Sequence, residues 1–222
     1  MARGKTASVL GLTISILVAP GLPAAATQED YEDIDKSIRV FNRAKLLHQE
    51  REYEGAIREY RAAIKFDDQN PFIHNSLGLA LAAVGAFAES LKAFAKAVDL
   101  NPDLTDVYNN LGMVYAEMGQ KTKAFEAFTR AVRNPNYPTP EKALYNMGNL
   151  YLQDGNLELA LMHFKRSVER REKFSLGYRG IGNVYLQMGE IGEAYLQFGR
   201  ALEIDEDDME SLYQIARIHE HR

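Results

Sequence analysis

The sequence predicts an all-α solenoid of about five helix pairs in a row, closed by a C-terminal capping helix. Two observations carry this. A short phrase recurs at Asn109–Tyr115, Tyr145–Tyr151 and Gly180–Tyr185, with a weaker copy at Asn75–Leu81. Its glycines, Gly78, Gly112, Gly148 and Gly182, follow one another at steps of 34, 36 and 34 residues. Within each step, apolar residues recur at helical spacing on both sides of a further glycine (Gly85, Gly119, Gly155 or Gly189), so each unit is two helices.

Composition narrows the function classes. The 222 residues are 46% hydrophobic and 26% charged, ordinary for a folded soluble protein. A formal charge of −5 argues against nucleic-acid partners, whose phosphates must be neutralised. The chain has no cysteine, which excludes thiol catalysis, cysteine-ligated zinc, disulfides and a lipid anchor on an N-terminal cysteine.

Taken in order, residues 1–26 read as an export signal. Arg3 and Lys5 give a basic start, Val9–Val18 an apolar stretch, and Ala24–Ala26 a small-residue cleavage site. The apolar run is short for a membrane span, which needs about 20 residues; the alternative is an uncleaved N-terminal anchor. Residues 27–36, with five carboxylates between Glu29 and Asp35, are expected to be a loose acidic linker.

The units follow at 37–70, 71–104, 105–138, 141–174 and 175–208, with a capping helix or partial sixth unit at 209–222. Counting from the first residue of each unit, position 8 is Ala44, Gly78, Gly112, Gly148 and Gly182. Position 15 is Arg51, Gly85, Gly119, Gly155 and Gly189, where glycine closes the first helix at positive φ. Position 20 is Ala56, Ser90, Ala124, Ala160 and Ala194, small so that the two helices approach closely. Position 24 is Tyr60, Phe94, Phe128, Phe164 and Phe198, an aromatic that fills the remaining space. Asn70–Pro71 and Asn101–Pro102 are expected to end second helices, because proline disfavours helix in the residue before it.

This pattern resembles the tetratricopeptide repeat (TPR), with 37–70 as a divergent first copy. The resemblance implies a right-handed superhelical solenoid that works as a protein-interaction scaffold. One junction departs from the 34-residue step, at Asn134–Pro140, where three prolines and two extra residues intervene. Thr139 is placed there as an N-cap and Pro140 as the first helical residue. On residues alone this is a stiff linker. The run also resembles the Pro-x-Tyr-Pro-x-Pro link of the type IV pilus biogenesis/stability repeat proteins of the PilW/PilF type. That resemblance implies a periplasmic protein assisting secretin or pilus assembly, although the absence of cysteine departs from the family's lipoprotein members.

TPR-like stacking implies a concave groove lined by the first helices. Its candidate contacts for a protein or peptide partner are Asn75, Asn109, Met113, Tyr145, Asn149, Arg179 and Asn183. Amides offer both donors and acceptors to a peptide backbone. Arg179 and Asn183 share a helix face and could hold a carboxylate; plain solvation is the alternative. Asn110 and Asn146 are expected to be structural. No zinc pair, phosphate loop or nucleophile elbow is present, so the chain is expected to be no enzyme and to need no cofactor or metal. Glu203–Glu210 reads as a solvated helix end. The expectation is therefore a periplasmic scaffold for pilus or secretin machinery, or a TPR adaptor for another cell-envelope enzyme or secretion complex.

Overall fold

The computed structural model describes residues 27–220; the export-signal reading of 1–26 lies outside them. The described residues form eleven helices and no strand. The helices are α1 (Gln28–Gln49), α2 (Tyr53–Phe66), α3 (Pro71–Ala83), α4 (Phe87–Leu100), α5 (Asp106–Glu117) and α6 (Lys121–Arg133), then α7 (Pro140–Gln153), α8 (Leu157–Arg170), α9 (Ser175–Met188), α10 (Ile191–Ile204) and α11 (Met209–Glu220). Each odd-numbered helix up to α9 packs on the even-numbered helix after it, and each even-numbered helix packs on the next odd one. The odd helices of neighbouring pairs also touch (α3 with α5, α5 with α7, α7 with α9), while the even helices have no comparable contact among the described residues. The odd helices therefore line the inner face of a curved solenoid and the even helices spread on its outside.

Inside each pair, glycine and aromatic fit each other. Phe94, Phe128, Phe164 and Phe198 are fully buried, each against the glycine of its own unit. A Cβ on Gly78 would lie 2.5 Å from Phe94, and one on Gly148 would lie 2.7 Å from Phe164. No side chain fits at that distance, so the ring dictates the glycine. In the second pair, Ser90 Oγ also donates to the Gly78 carbonyl at 2.7 Å, tying positions 20 and 8 together. Between paired helices the chain turns through the left-handed region, at φ 75° for Gly85 and 79° for Gly189. Arg51 takes the same conformation at φ 62° without being glycine, so the divergent first pair keeps the turn under strain.

Three local expectations are corrected. The acidic segment 27–36 is not a loose linker: from Gln28 it is the start of α1. Thr27 and Asp30 form a capping box, and Asp33–Lys36 and Asp35–Arg39 pair along the helix. Carboxylates at a helix N-terminus and ion pairs at this spacing both favour helix. Asn70–Pro71 does not end α2, which stops at Phe66; it starts α3, with Asn70 accepting from the Phe72 N–H and Pro71 at the first position. Thr139 does precede α7, but its side chain makes no capping bond. Its Oγ1 donates instead to Asp106 Oδ1 at 3.4 Å.

The Pro-rich link is also more than a spacer. Tyr137 is buried in one cluster with Tyr108, Phe128, Ala143 and Leu150. Burial pushes its hydroxyl pKa up to about 12, so it remains neutral. No helix among the described residues is long and apolar enough to cross a membrane.

Candidate interaction groove

The inner face is built from α3, α5, α7 and α9, and its polar residues divide into two kinds. Asn110 Nδ2 donates to Asn75 Oδ1 at 3.0 Å, and Asn146 Nδ2 donates to Asn109 Oδ1 at 3.1 Å. Each bond joins neighbouring repeats, one asparagine from each. The structural role expected of Asn110 and Asn146 is what these bonds provide. Asn75 and Asn109 are their acceptors, and Asn109 is only 7% exposed, with its own Nδ2 at 3.7 Å from Met113 Sδ. The Asn109 amide is therefore spent on holding repeats together rather than offered to a peptide backbone.

The ladder stops at the next junction, where Tyr145 and Gly180 replace the two asparagines. Tyr145 packs against Phe164 and Phe174, with ring centroids 5.5 and 5.8 Å away. It also hydrogen-bonds Arg179, whose Nη1 donates to Asp208 Oδ1 at 2.6 Å. Burial alone would lower the Arg179 pKa, but Tyr145 and Asp208 together raise it above its ordinary value. Arg179 thus already holds a carboxylate, and it belongs to this chain. The carboxylate site expected from Arg179 and Asn183 is filled from within.

Asp208 is the residue that the reading of Glu203–Glu210 as a solvated end missed. It is buried, and it accepts from both the Ser211 N–H and the Ser211 hydroxyl at the start of α11. Burial opposes its charge, yet the bonds from Ser211 and Arg179 outweigh burial and hold its pKa below the ordinary carboxylate value. An Asp three residues before a Ser at a helix start is an N-cap signal legible in the sequence.

What remains for a partner is narrower. Met113 and Asn149 line one cavity of about 350 Å³ between α5 and α7, together with Glu117, Asn146, Gln153 and the Phe128 ring. Met113 is 46% exposed and Asn149 half-buried, and among the described residues no side-chain hydrogen bond engages the Asn149 amide. Asn183 is half-buried on α9, one repeat beyond this cavity. Phe128, assigned to packing by its position, contributes to the cavity floor as well. The cavity lies at the junction where the 34-residue step is interrupted.

Tetratricopeptide-repeat models match residues 44–85 and 81–119, 105–135, and 139–207, together most of the chain. No curated protein matches by sequence. Among solved structures the chain is similar to PilW, described as a widely conserved type IV pilus biogenesis factor, with 20% identity and a TM-score of 0.70 over 88% of this chain and 86% of that one. It is similar to PilF of Pseudomonas aeruginosa at 18% identity and a TM-score of 0.72, covering 86% and 85% of the two chains. YrrB, a TPR protein with an unusual peptide-binding site, gives 22% identity and a TM-score of 0.56 over 85% and 98%. At these identities the likeness is one of fold.

Proposed function

Because the chain belongs to the tetratricopeptide-repeat family, whose fold is a scaffold for protein–protein interaction, we propose that it is an exported, periplasmic assembly factor for type IV pilus or secretin machinery. In this reading its partner is a protein or peptide segment held on the inner face of the solenoid. The observation that carries the proposal is the Pro-rich interruption at Asn134–Pro140. It resembles the link of the PilW/PilF type and stands at the junction where Met113 and Asn149 share a cavity. The fold-level likeness to PilW and PilF along most of both chains supports the same reading.

The groove chemistry suits a peptide. The exposed Met113 side chain can bury a partner residue, while Asn149 and Gln153 offer donors and acceptors to its backbone. Two measurements test the proposal at different levels. Deletion of the gene is expected to reduce secretin multimers and surface pili, and intact pili would sink the pilus role. Capture of the secretin from envelope extracts by the purified protein is expected to weaken with Asn149→Ala and Asn183→Ala together. Undiminished capture by that folded variant would remove the inner face as the contact.

A further inference from the structure

The outside of the solenoid carries a second cleft, separate from the groove residues. It has a volume of about 730 Å³ and runs along α6, with Tyr151 of α7 on its far side. The rings of Phe125 and Tyr151, 4.6 Å apart, give it an apolar floor. Its rim is net basic: Lys121, Arg130 and Arg133 line it against Glu126, with Lys121 already paired to Asp154, in a chain whose formal charge is −5. The Arg130 guanidinium lies over the Tyr108 ring, 4.3 Å from its centroid, which fixes it at the rim. Arg133 is exposed and makes no ion pair with a described residue. Such a cleft fits an acidic segment that also presents apolar side chains.

The chain carries a segment of that kind at its C-terminal end. No Lys or Arg stands between Arg200 and Arg217, and Glu203, Asp205, Glu206 and Asp207 are all exposed. Beside them α11 exposes Met209, Tyr213 and Leu212 by 71%, 58% and 49%. This exposed face is apolar and borders the acidic run, with Arg217 over the Tyr213 ring, and it matches the apolar floor and basic rim of the α6 cleft.

We propose that the α10–α11 end of one copy docks into the α6 cleft of a second copy. The two surfaces differ, so the contact is heterologous: every docked pair leaves one cleft and one end free, and growth continues unless a ring closes. Neither surface contains Met113, Asn149 or Asn183, so self-association leaves the inner face open to a partner. This contact is independent of which partner the groove takes.

Sedimentation of the purified chain over a concentration series, at about 0.02 M and about 0.5 M salt, tests it, because exposed charges are little screened at the first and strongly at the second. Concentration-dependent assembly is expected at low salt and its loss at high salt. Arg130→Glu with Arg133→Glu should give monomers, as should Asp205→Lys with Glu206→Lys. An equimolar mixture of the two variants should assemble again, because every cleft then meets an end of opposite charge. Misfolded variants could not regain assembly on mixing, so that result is specific. A monomeric wild-type chain at low salt, assembly indifferent to both reversals, or a mixture that stays monomeric would each overturn the proposal.

Discussion

Arg179 donates from Nη1 to Asp208 Oδ1 at 2.6 Å and so ties the last complete helix pair to α11. Asp208 at the same time caps α11 through Ser211. Asp208→Ala is expected to cost roughly 1–3 kcal/mol, since it leaves a partly buried guanidinium without its acceptor and α11 without its cap. The figure stays below that for a fully buried pair because the Arg179 side chain keeps 24% of its surface in water. Hydrogen exchange should show the loss first in 209–220. Unchanged protection there would mean that apolar contacts through Ile218 alone hold the helix.

The same pair sets a pH dependence. The Asp208 carboxyl has a folded pKa below its ordinary 3.8, so its contribution is fully present above that value and is lost as pH falls through the folded one. The stability difference between wild type and Asp208→Asn should be constant at neutral pH and shrink below about pH 4. A difference that persists unchanged into strong acid would assign the role to packing rather than to charge.

Arg51 occupies the turn position where the later pairs have glycine, and its φ of 62° matches theirs. Arg51→Gly is expected to stabilise the chain by about 0.5–1 kcal/mol, the relief of left-handed backbone less the extra entropy glycine gives the unfolded state. Thermal melting reads the change directly. A lower melting temperature would show that the exposed Arg51 side chain contributes more than its backbone costs.

These cases show which parts of the structure were legible in the sequence. The glycine steps and apolar spacing lead directly to paired helices, because a ring such as Phe94 over Gly78 imposes a local, periodic demand on residue type. Contacts between repeats are less visible. Asn75 and Asn110 lie 35 residues apart; the repeat register marks Asn110 as structural, but nothing marks Asn75 as its acceptor rather than a groove contact. The Arg179 site failed for the same reason: its carboxylate is 29 residues further on, inside a run of acids that looks solvated. The helix at 28–36 was obscured by charge density, which reads as looseness until the spacing of Asp33 with Lys36 and Asp35 with Arg39 is considered.

The two asparagines Asn109 and Asn149 should separate by experiment. Asn109→Ala removes the acceptor of Asn146 Nδ2 inside the stack and is expected to cost roughly 1 kcal/mol or somewhat more. Asn149→Ala empties one wall of the inner cavity and should leave stability within about 0.5 kcal/mol of wild type while weakening partner capture. Denaturant midpoints for both variants, with capture measured alongside, make the comparison. Equal destabilisation by both would mean that Asn149 is also a structural residue.

Gly148 offers the sharpest test of the fold's packing logic. A Cβ there would stand 2.7 Å from both Cδ1 and Cε1 of Phe164, an approach that real side chains do not make. The ring cannot retreat freely, because Phe164 is fully buried and the same Cδ1–Cε1 edge also meets Gly180, where a Cβ would lie 2.6 Å away. Gly148→Leu must therefore push α7 from α8 or force the ring toward α9, and overpacking of this kind costs roughly 1–3 kcal/mol. Pairing it with Phe164→Ala should recover part of that loss, since the space freed by the ring can take the leucine; the two changes then couple rather than add. A double-mutant cycle by denaturant unfolding decides the matter. Strict additivity, or an unaltered midpoint for Gly148→Leu alone, would contradict the glycine–aromatic contact on which each helix pair is built.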